Sequence, residues 1–363
     1  MYESSPSILI KVFLSNLKYL FSFIIFIIII FIYSSSIVKY FMKKILIISS
    51  NRLGDSILSS GIPNFYKKKH PEVKITFVCG EIPFELFKFF KNISCLIKLN
   101  KKKFSLHWFF LWKKVFFNFW DLIVDLRGTG ISYFLFSKSK KIYSNKNKKI
   151  HKVESISNLL GNKIITPYID FDNKIIKKSA EFKNLIELQK KKKIIAVGAS
   201  ANWIGKKWPK EYFVKLIKNL KKLKLFTNVI FILLGSREEN HELKEISDKF
   251  KNSEVKNFSG ALELYEICYF LKKCDCFIGN DSGLMHLAAA IGVPTVGLFG
   301  PSSVEQYHPW GKKNITISTP KKPEELMNER NFHYSYSKSL MLGLEVAKVE
   351  NTFVAFYKKI SKV

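Results

Sequence analysis

The sequence predicts an α/β protein with two parallel-sheet domains. Short apolar runs that resemble buried strands alternate with longer helical patterns, and such alternation is typical of parallel sheets with right-handed crossovers. The chain has 363 residues, a length that corresponds to about two to three domains. Hydrophobic residues make up 47% of it. That content is ample for buried cores and argues against a disordered chain.

The most informative stretch runs from Ile278 to Gly300 and has the pattern strand, turn, helix, strand. Asp281 and Ser282 are both suitable N-cap residues, so the backbone N–H groups of the first helical turn face the end of the preceding strand. Such a helix start favours an anion. Gly283 removes a side chain where a ligand would approach, and His286 lies one turn later. Taken residue by residue, an ordinary βαβ unit explains the same pattern.

A second informative loop follows the apolar run Lys44 to Ser49. Asp55 lies in this loop, ahead of a helix predicted from about Ser56 to Lys68. A carboxylate at the end of the first strand of an open α/β sheet points into the crevice where ligands bind. The alternative is that Asp55 only caps the helix. Further strands are predicted at Val73 to Cys79, Cys95 to Leu99 and Asp121 to Leu126, and a solvated loop at Lys138 to Lys149.

The second half of the chain begins after a polar linker with a charged helix, Ile169 to Lys193. The linker contains Asp170-Phe171-Asp172, a triplet of the Asp-x-Asp type that can hold a metal ion. Such triplets are common by chance, and this one lacks a strand-end context. A strand at Lys193 to Val197 and a loop reaching Pro209 open the second domain. A final helix is predicted at Met341 to Ile360.

The net charge is +31, and it comes almost entirely from lysine. Such a surface is attracted to anionic lipid headgroups and phosphorylated substrates. Nucleic acid is a disfavoured partner, because arginine is scarce and no motif of a nucleic-acid-binding module occurs. The five cysteines lie mostly in apolar runs, which favours reduced thiols in the cytosol over disulfides or a zinc site.

The N-terminal region carries an uncharged run from Tyr19 to Val38. Its 20 residues meet the length that a helix needs to cross a bilayer, and no small-residue cleavage site follows. One interpretation is a signal anchor with the basic remainder on the cytoplasmic side. The other is that translation starts at Met42, which precedes the first predicted strand.

Several of these segments resemble glycosyltransferase family 9, the bacterial lipopolysaccharide heptosyltransferases. The resemblance is carried by Gly54-Asp55, by the Lys-x-Trp-Pro arrangement that ends at Pro209, and by three runs near the end of the chain. These runs are Asp281 to Ala289, Gly292 to Thr295 and Leu298 to Pro301. The resemblance covers Met42 to about Val346.

The resemblance implies a GT-B fold, with two Rossmann-like, doubly wound parallel-sheet domains facing a cleft. The uncharged run adds the expectation of an N-terminal hydrophobic helix. The expected divisions are residues 1–41 (hydrophobic segment), 42–185 (acceptor domain), 190–340 (donor domain) and 341–363 (a helix that packs back across the domains).

Roles for single residues also follow from the resemblance. Asp55 is the expected catalytic base. Lys206 is expected to contact the donor diphosphate, with Lys207 as its substitute if the register differs by one. Donor binding is expected to involve Lys206, Glu238 (on the ribose), Asp281, Ser282, Gly283 and His286. Arg52 and Arg127 are the acceptor-side candidates, although Arg127 replaces a glutamine of the family pattern and could instead pair with Asp125.

The implied activity is an inverting transfer of heptose from ADP-heptose to the phosphorylated inner core of a lipid A precursor. It is expected to need no metal or other cofactor and to occur at the anionic cytoplasmic face of the inner membrane. Two alternatives are another nucleotide sugar in the same chemistry and a non-catalytic, membrane-associated nucleotide-binding protein. A Rossmann dehydrogenase is disfavoured because no G-x-G-x-x-G follows a strand.

Overall fold

The computed structural model describes residues 44–144, 149–161, 163–170, 179–328 and 338–361. The chain from Lys44 onward forms one compact unit, which contains two open sheets. The hydrophobic segment 1–41, with its predicted helix, lies outside the described residues. Within the described ranges, no helix has the length and apolar character needed to cross a membrane.

The first sheet has five strands in the order β3-β2-β1-β4-β5, and all neighbouring pairs are parallel. The strands are β1 (Lys44–Ile48), β2 (Lys74–Cys79), β3 (Cys95–Lys98), β4 (Trp120–Asp125) and β5 (Ser137–Ile142). The helices are α1 (Leu53–Leu58), α2 (Gly61–Lys69), α3 (Glu81–Phe87), α4 (Leu106–Val115) and α5 (Lys152–Leu159).

Two predicted elements in this sheet differ from the structure. The helix expected at Ser56 to Lys68 is divided into α1 and α2. The division falls before Gly61, where an added Cβ would lie 1.9 Å from the carbonyl oxygen of Thr166, so the chain must pass close to another segment. The prediction of a loop at Lys138 to Lys149 is wrong for the first residues of this range, because Ser137–Ile142 is strand β5. Its lysines are tolerated because β5 is an edge strand.

The second sheet has six parallel strands in the order β11-β10-β9-β6-β7-β8. The strands are β6 (Lys193–Gly198), β7 (Val229–Leu233), β8 (Val255–Asn257), β9 (Cys276–Asn280), β10 (Thr295–Phe299) and β11 (Ile315–Ser318). The helices are α6 (Ala180–Lys191), α7 (Lys210–Lys222), α8 (Asn240–Ser247), α9 (Leu264–Leu271), α10 (Gly283–Ile291), α11 (Val304–Tyr307), α12 (Pro323–Met327) and α13 (Val346–Ser361).

The last helix, α13, was expected to pack back across the two domains. Its buried residues Val349, Phe353 and Tyr357 instead join the core between α7 and the second sheet. Phe226 contacts the Phe353 and Tyr357 rings in that core. The apolar face of α13 is therefore covered within the second domain.

A continuous hydrophobic cluster joins the two sheets. It includes Ile47 of β1 and Phe77 of β2, and it continues through Phe182 of α6 to Ile232 of β7 and Met285 of α10. A polar contact also connects the halves. His151 accepts a hydrogen bond from the Val153 backbone N–H at Nδ1 (3.2 Å), so its Nε2 donates to the carbonyl oxygen of His308 (3.0 Å).

The order of strands reverses at one point in each sheet, between β1 and β4 and between β6 and β9. Loops leave the carboxyl ends of neighbouring strands in opposite directions at such a point, and the crevice between them is the usual ligand site of an open α/β sheet. Asp55 lies in the first turn of α1, directly after the loop that follows β1, and the loop after β9 contains Asp281. Both informative stretches of the sequence therefore lie at a reversal point.

Candidate functional site

A cavity of about 680 Å³ lies between the two sheets. The loops after β1, β6, β7 and β9 all contribute to its wall. Eight of the predicted site residues line it: Arg52, Asp55, Lys206, Glu238, Asp281, Ser282, Gly283 and His286. Arg127 does not belong to the wall. The structure thus brings the two sets of loop residues, one from each domain, to a single site.

Asp281 organises the second-domain side of the cavity. Its Oδ2 lies 2.6 Å from Lys206 Nζ, and its Oδ1 lies 3.5 Å from His286 Nε2. Burial raises the pKa of Asp281, but the hydrogen bond from His286 and the charge of Lys206 outweigh it and hold the pKa well below its usual range. Asp281 is therefore ionised and fixes the Lys206 ammonium at the cavity. Lys207, the alternative in the predicted register, instead pairs with Glu242.

The start of α10 is available to a ligand. Ser282 occupies the N-cap position, but no side chain caps the helix. Ser282 Oγ and His286 Nδ1 are buried and have no hydrogen-bond partner among the described residues. Buried polar atoms usually have partners. The Ser282 hydroxyl and the uncapped N–H groups can donate, and they therefore suit an anionic ligand with several acceptor oxygens.

The starts of α1 and α10, which both line the cavity, are in contact with each other. A Cβ added to Gly54 in α1 would lie 2.9 Å from His286 Cδ2, and one added to Gly283 in α10 would lie 2.9 Å from Leu53 Cδ2. Both positions therefore require glycine for the observed approach. The contact places α1, which carries Asp55, against α10, which carries His286.

Asp55 lies in the first turn of α1, where Arg52 is the N-cap residue, and none of the described side chains caps this helix. The interpretation of Asp55 as a cap is therefore wrong. The carboxylate is partly exposed to the cavity. It accepts no hydrogen bond from the described residues. Such a carboxylate is free to accept one from a bound molecule.

Arg127 has a supporting position. Its Nη1 donates to Asn51 Oδ1 over 3.1 Å, and its guanidinium lies 4.7 Å from the centre of the Trp108 ring. Asp125 accepts from the backbone N–H of Arg127 rather than from its guanidinium. Asn51 lines the cavity. Arg127 therefore contacts a residue of the cavity wall but does not itself line the cavity.

Glu238 and Glu239 follow β7, and their carboxylates differ in surroundings. Glu239 Oε2 accepts from the Ser236 backbone N–H over 2.7 Å. Glu238 is exposed at the cavity wall, and a hydrogen bond from Ser236 lowers its pKa. Glu238 is ionised and accessible, as hydrogen bonding to ligand hydroxyls requires.

Tyr307 also lines the cavity, and the sequence did not indicate it. Burial and the nearby charge of Asp55 raise its pKa to about 12, so its hydroxyl is neutral and can donate. It ends α11, a helix of four residues. Such a short element gives no periodicity, so its position could be found only from the structure.

The discounted Asp-x-Asp triplet has a structural partner at its first member. Asp170 Oδ2 accepts from the Lys91 backbone N–H over 2.9 Å, away from the cavity wall. Asp172 lies outside the described residues. Across the described ranges, His, Cys, Asp and Glu form no group of three or more that could hold a metal ion.

This fold and cavity define a class, namely two-domain α/β proteins of the GT-B type with a ligand site between two parallel sheets. The family model of glycosyltransferase family 9 (heptosyltransferase) matches residues 125–334, more than half of the chain. The chain therefore belongs to glycosyltransferase family 9 and is a glycosyltransferase. The prediction of the family from the motifs is confirmed.

Individual relatives agree with this assignment. Lipooligosaccharide heptosyltransferase 2 of Campylobacter jejuni (serotype O:2) is 27% identical over 288 residues, which cover 76% of this chain and 86% of the relative. A family 9 glycosyltransferase structure from Veillonella parvula has a TM-score of 0.72 at 18% identity and covers 87% of this chain and 98% of its own. E. coli ADP-heptose lps heptosyltransferase II has a TM-score of 0.66 at 17% identity, with 87% and 99% covered. These two structures share the fold of this chain.

Proposed function

We propose that this protein transfers heptose from ADP-heptose to the inner core of a lipopolysaccharide precursor, with inversion at the anomeric carbon. One observation carries the proposal. The unpaired carboxylate of Asp55 and the anion-suited start of α10 line the same cavity from opposite domains. The Campylobacter jejuni relative is a lipooligosaccharide heptosyltransferase, which supports the choice of sugar and acceptor.

In this mechanism Asp55 takes the proton of an acceptor hydroxyl as the hydroxyl oxygen attacks the anomeric carbon. The new C–O bond forms as the bond from the anomeric carbon to the diphosphate oxygen breaks. Displacement from the side opposite the leaving group inverts the configuration. Asp55 comes from the first domain, and the residues proposed to bind the diphosphate come from the second.

The departing ADP carries away the negative charge that develops on the diphosphate. Lys206, the N–H groups at the start of α10 and His286 stabilise this charge electrostatically. They perform the task that a metal ion performs in other glycosyltransferases, so we expect the reaction to need no divalent cation. Glu238 binds the ribose hydroxyls, and Arg52, which lines the cavity, contacts a phosphate of the acceptor.

The test is Asp55→Asn, assayed with ADP-heptose and a deacylated inner-core acceptor. Asparagine keeps the shape of the side chain but cannot act as the base, so turnover should fall roughly 100-fold or more. ADP affinity should change little. Asp248→Asn is the matched control, because Asp248 is exposed and outside the cavity wall. Near-normal turnover in Asp55→Asn would overturn the mechanism.

Two further measurements separate the alternatives. Competition among nucleotide sugars identifies the donor, and preference for a donor other than ADP-heptose would replace heptose in the proposal. Transfer in the presence of excess chelator tests the metal. Strict dependence on an added divalent cation would contradict the electrostatic role given to Lys206.

A further inference from the structure

An exposed aromatic surface lies on the first domain, outside the cavity. We define it as Phe104, Phe109, Phe110, Phe117, Phe134 and Phe136. Phe104 is 93% exposed, Phe117 88% and Phe134 71%. Single exposed apolar side chains are normal in soluble proteins, but a contiguous group indicates an interaction site.

Ring contacts connect Phe109, Phe110, Phe117 and Phe136 of this surface. The ring of Phe109 lies 6.1 Å from Phe110 and 6.1 Å from Trp112, and Trp112 lies 4.3 Å from Phe116. Phe116 in turn contacts both Phe117 and Phe136 at 5.3 Å. Trp112 Nε1 also donates to the carbonyl oxygen of Phe134 over 3.1 Å. Helix α4 and the segment before β5 therefore present one surface.

The backbone at one edge of this surface is strained. Phe104 and Ser105 have φ values of 52° and 57°, a left-handed conformation that is costly for residues other than glycine. Phe104 is also largely exposed, so its ring gains little packing within the described part of the chain.

Positive charge surrounds the aromatic rings. The segment from residue 100 to 120 contains five lysines and no acidic residue. These lysines are Lys101, Lys102, Lys103, Lys113 and Lys114. Lys102 Nζ lies 3.8 Å from the centre of the Phe110 ring. Aromatic rings flanked by exposed lysines match the interface of an anionic bilayer, where rings enter the headgroup region and ammonium groups approach phosphates.

The aromatic surface is also connected to the cavity. Helix α4 buries His107, Leu111 and Val115 against the first sheet, so its aromatic side faces outward. Trp108 of the same helix contacts the Arg127 guanidinium, and Arg127 donates to Asn51 at the cavity wall. A membrane on this surface would therefore lie next to the side of the site formed by the first domain.

We propose that the aromatic surface binds the interface of a membrane that contains anionic lipid, with Phe104 and Phe117 inserted among the headgroups. The binding does not depend on the identity of the transferred sugar. It goes beyond sugar transfer, because it assigns a specific lipid-binding surface to this chain.

The test measures lipid contact at defined positions of the full chain. Cys95 is the one exposed cysteine of the five, so Cys95→Ser provides a background for a new label. Phe117→Cys and, as the matched control, Leu342→Cys each receive an environment-sensitive fluorophore. Leu342 is 55% exposed, and its neighbour Met341 belongs to the core of the second domain. Both proteins are mixed with phosphatidylglycerol–phosphatidylethanolamine vesicles containing a spin-labelled quencher lipid.

We expect the label at position 117 to shift to shorter wavelength and to be quenched at least twofold, whereas the label at position 342 changes little. Pure phosphatidylcholine vesicles should give a much smaller effect, because the lysines lose their partner. The proposal is overturned by an unchanged label at position 117, by equal quenching at both positions, or by a shift that depends on protein concentration without vesicles, since the last result means that a second copy covers the surface.

A second variant separates lipid binding from catalysis. Phe104→Ser combined with Phe117→Ser and Phe134→Ser should lose transfer to a vesicle-embedded acceptor but keep transfer to the soluble deacylated one. Equal transfer to both acceptors in this variant would contradict the proposal. Failure of the sugar-transfer hypothesis would appear differently, as absent transfer to the soluble acceptor by the unaltered chain.

Discussion

The ammonium of Lys206 lies 2.6 Å from the carboxylate of Asp281 and thereby joins the loops that follow β6 and β9. These loops flank the reversal point of the second sheet. Because the partner carboxylate is buried and its pKa is lowered, the pair is formed before any ligand binds. A cation held in place in advance needs little reorganisation when a diphosphate arrives.

Lys206→Ala should weaken ADP binding by about 10- to 100-fold, the loss typical of a hydrogen bond to a charged group. Isothermal titration calorimetry with ADP measures it. Lys207→Ala is the control, since Lys207 pairs with Glu242 and does not line the cavity. Equal ADP affinity in Lys206→Ala and the unaltered chain would remove Lys206 from the diphosphate site.

Gly54→Ala should destabilise the contact between α1 and α10, because the new Cβ would approach His286 Cδ2 to 2.9 Å. Overpacking of this kind costs about 1–3 kcal/mol in the free energy of unfolding, which urea denaturation measures. Gly130→Ala is the control, as a Cβ there has no heavy atom within 4 Å.

The double variant Gly54→Ala/His286→Ala identifies the cause. Removing the imidazole should restore part of the stability lost in Gly54→Ala. Additive losses in the double variant would show that the two side chains do not interact.

Stability should fall as pH decreases from about 6.5 toward 3. Burial and the neighbouring His308 lower the pKa of His151 to about 3, below the ordinary value of 6.5. In this interval the unfolded chain takes up a proton that the folded chain does not, so acid favours unfolding. One such group changes the free energy of unfolding by at most about 1.4 kcal/mol per pH unit.

His151→Asn tests this assignment, because asparagine can cap α5 but does not titrate. Denaturation at pH 7 and pH 5 should show a smaller pH dependence in this variant. A slope remains from His308, whose pKa burial also lowers. An unchanged pH dependence in His151→Asn would exclude His151 as its source.

One thiol of five should react rapidly with a water-soluble disulfide reagent in the folded protein. Cys95 is exposed, whereas Cys79, Cys268, Cys274 and Cys276 are buried. Burial raises the pKa of Cys79 to about 12, which suppresses its reactive thiolate. Absorbance of the released reagent counts the thiols, and urea should expose the other four. Rapid reaction in Cys95→Ser would contradict this burial.

Motifs predicted the fold and eight residues of the cavity wall because strand-end loops and helix starts leave local signals. Gly54-Asp55 and Asp281 to His286 both follow apolar strands, so the sequence indicates that they lie at the carboxyl ends of these strands. The sequence does not indicate the pairing of Lys206 with Asp281, because 75 residues separate them. Strand β5 was missed since its lysines hide the strand pattern, and the position of Tyr307 depends on tertiary packing alone.

The hydrophobic cluster that joins the two sheets has a consequence for how this protein folds. Since Phe77 of the first sheet and Met285 near the second belong to the same cluster, neither half can complete its apolar interior without the other. A cut between α5 and α6 would leave both fragments with exposed apolar surface, and they would aggregate. The two halves should therefore melt together in one calorimetric transition, and newly synthesised chains should reach the native state only after the second sheet has left the ribosome.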